Sequence, residues 1–445
     1  MSGVCVRLKL CGSSSLPLFF ISLLFSVDTF SPKPMKVLHL STSDIKGGAA
    51  RAAYRLHQGL QAAGMASQML VRAKDSIDRQ VVASKHLKTK IGPSSNDLPL
   101  RFYPNHDRQL FSTQWFPDAL SSKTQQLAPD IVHLHWVCNG FVRIETLAQI
   151  ARPMVWTLHD MWPFTGGCHY TKDCDRYQQS CGHCPQLKSS RESDLSRWIW
   201  RRKANAWKSI DLTIVSPSYW LADCARKSSL FQDRRIEVIP HGLDLSYYRP
   251  IEKSVARQLL NLPERKQLVL FGSSPGTTGN ARKGFQLLRP ALSILSESNP
   301  SSEIELVVFG GNKPIQPVDL GFKVHYLGQL HDDVSLAMAY SAADVMVIPS
   351  VQEAYGQTAS ESLACGTPVV TFRATGLKDI VEHHRTGYLV DPFDVKDLAE
   401  GIAWVLAFSE KNSLRYQARQ AAEALLPLSL QAQRYQSLYQ SILEN

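Results

Sequence analysis

Two carboxylates set the first chemical expectation. Glu353 and Glu361 lie eight residues apart in IPSVQEAYGQTASESLACGTPVV, residues 348–370. A strand ends at Ile348 and a helix is expected to begin near Gly356 to Thr358, which leaves Glu353 on a loop and Glu361 in the early turns. Eight apart on one helix, two side chains would not share a face closely; with the first on the loop, both can point into one cleft. The free amides of Gly356, Gln357 and Thr358 suit a diphosphate or the sugar attached to it. Glu361 suits a ribose diol, because a carboxylate accepts from two hydroxyls, and Glu353 suits the hydroxyls of a sugar ring. Two solvated, helix-capping glutamates are the bland alternative.

Other constellations carry chemistry of their own. Gly47 and Gly48, in STSDIKGGAAR, stand between a strand and a helix, where glycine lets backbone approach a ligand and the helix N-terminus attracts oxygen anions. The spacing is neither G-x-G-x-x-G nor a P-loop, and a tight turn explains it as well. His159 and Asp160, in TLHDMWPFTGGCHY, follow a buried strand at the carboxyl edge where open α/β sheets bind ligands. Cys168, Cys174, Cys181 and Cys184 form C-x5-C-x6-C-x2-C. Four thiolates in one loop can close a tetrahedral structural zinc site, with His169 and His183 as substitute ligands; disulfides and unbound thiols stay open. A redox role lacks a thioredoxin-like context, and four ligands leave a catalytic metal no open position. In SRWIWRRKANAWKS (196–209), Trp198, Trp200 and Trp207 interleave with Arg197, Arg201, Arg202, Lys203 and Lys208. Such a helix can lie at an anionic membrane or cover a core with its tryptophans. No recognised module supports nucleic-acid binding.

These groups need a scaffold, and from Met35 the pattern supplies one. Strands are expected at 36–41, 67–72, 130–135, 153–158 and 211–216, then at 267–272, 304–309, 324–327, 344–348 and 368–371. Most are continuous apolar runs, as in strands buried on both faces of a parallel sheet. Helical stripes lie between them: Ala53, Leu56, Leu60 and Ala63; Phe285, Leu288, Leu292 and Leu295; and Val395, Leu398, Ile402 and Val405 behind an Asp394 cap. The alternation reads as α/β with doubly wound sheets. IPHGLDLSYYRP (239–250) separates the two series as a hinge, 86–128 reads as a loop-rich excursion, and 428–445 reads as one amphipathic helix bearing Tyr435, Leu438, Ile442 and Leu443.

Composition bounds the rest. Apolar residues are 44% and charged residues 20%, which excludes a wholly disordered or collagen-like chain. The +10 net charge suits phosphates, anionic lipid or nucleic acid. Residues 1–34 stand apart: Arg7 and Lys9 precede an apolar run from Leu16 to Val27 of signal-peptide length, with no A-x-A site after it. An upstream start codon mistaken for Met35, a short apolar tether or export segment, and a disordered tail all fit. Cys5 and Cys11 lie in this leader, and Cys138, Cys224 and Cys365 are expected as buried thiols in a reducing compartment.

The 341–370 stretch resembles the E-x7-E signature of the family 4 retaining glycosyltransferases. YLGQL (326–330), SAADVMVIPS (341–350) and HRTGYLV (384–390) resemble its flanks, IPHGLD resembles the family's I-P-N-G-V-D, and Gly47–Gly48 its N-terminal glycine pair. The likeness covers roughly residues 35 to 445. It implies the GT-B fold: an N-terminal acceptor-side Rossmann-like domain (35–240) with a Cys-rich insert (168–184), a nucleotide-sugar-binding domain (241–427), and a last helix (428–445) that crosses back to the first domain. It implies a cation pair on the diphosphate, where Lys283 matches the family's Lys, Ser273 or Ser274 stands at its Arg, and the adjacent Arg282 can supply the missing charge. It implies that His159 binds the transferred sugar. Cys-rich inserts of this kind resemble a subgroup making colanic acid and other exopolysaccharides.

The resulting expectation is a retaining transferase moving a hexosyl-type sugar from a nucleoside diphosphate to a lipid-linked or oligosaccharide acceptor in surface polysaccharide synthesis. His159, Lys283 and Glu353 would act at the reacting sugar, and Gly47, Gly48, Arg282, Gly356, Gln357, Thr358 and Glu361 would hold the donor. No cofactor is expected for catalysis, a structural zinc is allowed, and the place of action is the cytoplasm, with peripheral contact at the inner face of the membrane. A non-catalytic nucleotide-sugar-binding partner and a GT-B sugar-nucleotide epimerase are the rival readings.

Overall fold

Aliphatic runs too short to form helices become strands, and the amphipathic stripes between them become the helices that cover both faces of two sheets. The computed structural model describes residues 35–445 except 85, 273–279, 299–302, 317 and 445. The leader, with Cys5 and Cys11, and the serines at 273 and 274 lie outside the described residues.

The first half contains β1 (Lys36–Ser43), α1 (Gly48–Ala62), β2 (Ala66–Ala73), β3 (Val81–Ala83), α2 (Leu87–Asn96), α3 (Leu120–Leu127), β4 (Ile131–Leu134), β5 (Met154–Thr157), α4 (Leu195–Trp207), β6 (Leu212–Ser216), α5 (Tyr219–Lys227) and β7 (Ile236–Val238). Its strands form one parallel sheet in the order β3-β2-β1-β4-β5-β6-β7. The second half contains α6 (Lys253–Leu259), β8 (Gln267–Gly272), α7 (Phe285–Ser298), β9 (Ile304–Phe309), β10 (Val324–Tyr326), α8 (Asp333–Ala342), β11 (Val345–Ile348), α9 (Gln357–Ala364), β12 (Val369–Phe372), β13 (Gly387–Val390) and α10 (Val395–Ala407). Its parallel sheet runs β10-β9-β8-β11-β12-β13. Strand order reverses between β1 and β4 and between β8 and β11, the switch points beside which doubly wound sheets bind ligands.

Two more helices, α11 (Lys411–Leu425) and α12 (Leu428–Leu443), close the chain. α12 returns to the first sheet: Ala432, Tyr435, Leu438, Tyr439 and Ile442 bury against Val37, Leu56, Ile131, Val155 and Val215. Its tyrosines also anchor polar groups of that sheet, the Tyr435 hydroxyl 2.6 Å from Thr157 Oγ1 and the Tyr439 hydroxyl 2.6 Å from His133 Nδ1. The two crossings between the halves run side by side. The Leu243 amide donates to the Leu426 carbonyl at 2.7 Å, and the Leu428 amide to the Leu243 carbonyl at 3.0 Å.

Several expectations need correction. β3, β7 and β13 were not anticipated, because three or four residues carry too little alternation to stand out. The segment 86–128 holds α2, a 3-10 turn at Leu98–Phe102 and α3; its polar composition and Pro93 hide helical periodicity. Ala63 is the exposed C-cap of α1 rather than part of its buried stripe, and Leu443 is exposed on α12. Cys224 is half-buried, whereas Cys138 and Cys365 are buried as expected. In α4, Ile199, Lys203 and Trp207 face the core, and Arg202 pairs with Glu145 at 2.6 Å beneath the Trp198 ring. Core covering therefore accounts for most of this Trp-and-Arg helix, and leaves Trp198, Arg201 and Lys208 exposed.

Candidate functional site

The cation pair is positioned by a tight turn before α7. The Asn280 side chain accepts from the Arg282 amide at 3.1 Å and caps a 3-10 turn over Ala281–Lys283. Gly284 follows with φ +71°, and a Cβ there would stand 1.6 Å from the Pro349 carbonyl oxygen. Glycine alone lets this turn press against the loop after β11, which carries Glu353. Lys283 Nζ then lies 2.5 Å from Glu353 Oε1, and Arg282 Nη1 lies 3.2 Å from Oε2. Burial works against the Glu353 carboxylate, but Lys283 and then Arg282 outweigh it and bring the group down to about 2. The Arg282 guanidinium sits 4.3 Å over the Tyr170 ring.

α9 opens on Gly356 at φ +112°, a residue with no side chain to cap the helix's first amides. Gly47, also at positive φ and without a side-chain cap, opens α1. The two N-termini meet: Gln357 Nε2 donates to the Gly48 carbonyl at 2.7 Å. Deeper in α9, Glu361 is 4% exposed and fully engaged. Its Oε1 accepts from both terminal nitrogens of Arg55 at 3.0 Å, and its Oε2 from the Tyr340 hydroxyl at 2.9 Å. A ribose diol would therefore share or displace the Arg55 contact. Arg55 also donates to the Tyr248 hydroxyl, which donates to Asp333 at 2.8 Å.

A cleft of about 960 Å³ is lined from the first half by Gly47, Gly48, His159 and Asp160, and from the second by Asn280 and Arg282. Of the expected site residues, Gly47, Gly48, His159 and Arg282 line it; Lys283 and Glu353 adjoin Arg282, while Gly356, Gln357, Thr358 and Glu361 are not part of its lining. Asp160 accepts from Trp136 Nε1 at 2.9 Å, the Trp162 amide at 2.9 Å and His169 Nδ1 at 2.6 Å, so it is a fixed acceptor rather than a free base.

Sequence reasoning missed the groups behind His159. His159 Nε2 lies 3.2 Å from His135 Nδ1, and His135 Nε2 lies 2.9 Å from His39 Nδ1, a hydrogen-bonded column running into the sheet. The signal was present in DIVHLH: alternate residues of a strand share a face, and His133 pairs in register with His39 of β1. His39, His133 and His135 place ligand atoms within 4.8 Å of one another. Both His133 nitrogens, however, are taken by Tyr439 and Thr157, and the His133 and His135 rings stack at 4.2 Å, so their lone pairs do not converge on a metal. The column instead holds the orientation of His159, which also stacks on His241 at 5.2 Å.

Burial keeps these imidazoles neutral: His159 falls to about 4, and His39, His133, His135 and His241 are pushed well down. The unfolded chain binds protons on these groups below about pH 6.5, where the folded chain does not. Stability is thus complete above that pH and falls as the pH drops from 6.5 toward 4. Denaturant midpoints across this range should fall, with a slope of more than one proton taken up per chain. A flat profile would place these histidines in water.

Comparisons with known proteins agree with this geometry. Residues 46–247 match the family described as "Glycosyltransferase Family 4", and residues 266–407 match "Glycosyl transferases group 1". A D-inositol 3-phosphate glycosyltransferase of Arthrobacter sp. (strain FB24) is 28% identical over 287 residues, covering 61% of this chain and 61% of that protein. The match therefore spans about three-fifths of that relative's length. A protein of Escherichia coli (strain K12), WcaC, named for colanic acid biosynthesis, is 22% identical over 374 residues, covering 78% of this chain and 85% of that one. Among solved structures, Anabaena HepE in complex with UDP and glucose superposes with TM-score 0.61 at 18% identity, over 92% of this chain and 100% of that one. The two parallel-sheet halves about a cleft have the GT-B fold, and each carries a glycosyltransferase match, family 4 on the first and group 1 on the second.

Proposed function

We propose that the chain transfers a hexosyl-type sugar from a nucleoside diphosphate to an acceptor hydroxyl with retention of anomeric configuration. The observation that carries this is the convergence of Lys283 and Arg282 on the Glu353 carboxylate, beside a cleft whose opposite wall holds His159. The bond from the anomeric carbon to the leaving phosphate oxygen breaks, and a bond to the acceptor oxygen forms. Lys283 and Arg282 stabilise the charge gathering on the diphosphate. Glu353 and His159 orient the sugar; the uncapped amides of α9 and the glycines of α1 hold the donor from its two sides. Retention is favoured because Glu353 near 2 and His159 near 4 are both weak bases, so the departing phosphate takes the acceptor's proton on the same face. Two protein cations can neutralise the diphosphate without a catalytic metal.

The acceptor we favour is a lipid-linked or oligosaccharide hydroxyl of a surface polysaccharide, reached at the inner face of the membrane. Support comes from the segment 87–110, where Leu87, Ile91, Leu98, Phe102 and Leu110 are exposed among the exposed Lys88, Lys90, Arg101 and Arg108, and Leu110 lines the cleft. Apolar side chains set among bases suit an anionic interface. Among the described residues no helix is long and apolar enough to cross a membrane.

The test incubates the chain with UDP-, GDP- and ADP-sugars and a membrane lipid extract, follows release of nucleoside diphosphate, and reads the product's anomeric configuration by NMR. Release from one donor that requires extract and gives a retained product supports the reading. Binding of a donor without release from any would sink it in favour of a non-catalytic nucleotide-sugar partner. Sedimentation with anionic vesicles that weakens in Phe102→Ser supports the membrane contact.

A further inference from the structure

We propose that Cys168, Cys174, Cys181 and Cys184 take up one zinc ion, and that this ion holds residues 168–187 as a wall of the cleft. The four cysteines, spread over residues 168–184, all line one small cavity of about 20 Å³, room for a single water-sized guest. The Gly166 amide faces the Cys181 sulfur, and the Leu187 and Gln186 amides face the Cys184 sulfur. The turn between them is strained: Cys181, Gly182 and His183 all have positive φ, at 54°, 93° and 44°. Two non-glycine residues held this way need an over-determined surrounding, and a bound ion across Cys181 and Cys184 supplies it.

A buried lysine stands next to the ring. Lys203 is 0% exposed, donates to the Trp162 and Thr165 carbonyls and has no ion-pair partner among the described residues. Its electrostatic neighbours are mainly thiols, Cys138, Cys181 and Cys168, with Asp160 behind them. Zinc displaces one proton from each of four thiols and leaves a centre of net charge −2 beside Lys203. Among the described residues, three ligand atoms lie within 4.8 Å of one another only at His39, His133 and His135, so the four sulfurs stand further apart and must move inward to hold an ion.

The segment so fastened reaches the cleft. His169 holds Asp160, Tyr170 lies under Arg282, and Lys172 exchanges two backbone hydrogen bonds with the Gln352 side chain, at 3.0 and 3.1 Å, one residue from Glu353. The wall role rests on the transfer reaction proposed above; the metal site does not.

Metal analysis of the full chain, purified without a metal-chelating column, should find about one zinc per chain, with four cysteines protected from alkylation until a mercurial releases the ion. Cys184→Ser should lose the zinc and Cys365→Ser should keep it. Turnover should fall roughly 10²-fold on zinc removal if the wall shifts by an ångström. Zinc-free protein, whether its mass shows two disulfides or four freely alkylated thiols, would overturn the site. Zinc content is read without any donor, so its failure is distinct from failure of the transfer reading.

Discussion

Lys283→Ala is expected to lower kcat by about 10²- to 10³-fold, the cost of removing one preorganised charge donor from a developing anion. Lys283 Nζ lies 2.5 Å from Glu353 Oε1 in a turn fixed by Gly284, so its place is set before the donor arrives. The loss should fall on kcat more than on donor binding, because the leaving diphosphate carries more charge in the transition state than in the ground state. Lys283→Arg should recover part of the rate, since a planar fork does not place its charge where an ammonium does. Arg282 remains 3.2 Å from Glu353 in either variant, which keeps the carboxylate paired. Turnover and calorimetric donor binding, measured on the same preparation, decide the matter. An unchanged kcat with weakened binding would reduce Lys283 to a ground-state contact.

The second large effect is on stability. Arg55→Ala should cost about 3–5 kcal/mol, the usual result of stripping one partner from a buried ion pair. The Arg55 and Glu361 side chains are 8% and 5% exposed, and Arg55 also touches Asp333 at 3.3 Å. Without it Glu361 keeps, among the described residues, the Tyr340 hydroxyl, and Asp333 keeps Arg51 and Tyr248. Arg55→Met combined with Glu361→Gln should regain much of the loss, because it removes both charges together. The denaturant midpoints of the two singles and the double form the cycle. A shift below about 1 kcal/mol for Arg55→Ala would mean that water reaches Glu361 and screens it as at a surface.

Much of this scaffold was legible because strands buried on both faces read as continuous aliphatic runs. IELVVF and QLVLFG became β9 and β8 over the same residues, and Asp394 caps α10 as expected, accepting from the Lys396 and Asp397 amides. What failed was structure whose cause lies elsewhere in the chain. α2 is held by tertiary contact rather than by periodicity, Gly92 meeting the backbone of Gly140. At the site, Glu353 beside Lys283 could be expected from local strings. Arg55 could not, since its partner is 306 positions away and nothing around it distinguishes it from a surface arginine. The histidine column was visible as H-x-H, but its meaning needed the register of β1 on β4. The Glu361 carboxylate was placed in the right helix, and its engagement by Arg55 and Tyr340 came from packing alone.

The paired crossings at Leu243 and at Leu426–Leu428 have a mechanical consequence. One flexible passage would leave two lobes free to twist and slide as well as to open. Two passages bonded to each other act as an axle: rotation about the line through them preserves both hydrogen bonds, while torsion or shear breaks them. The pair thereby resists torsion and shear more than a single passage would. Opening about that axle must also break the Gln357–Gly48 and Arg55–Glu361 contacts that join α1 to α9.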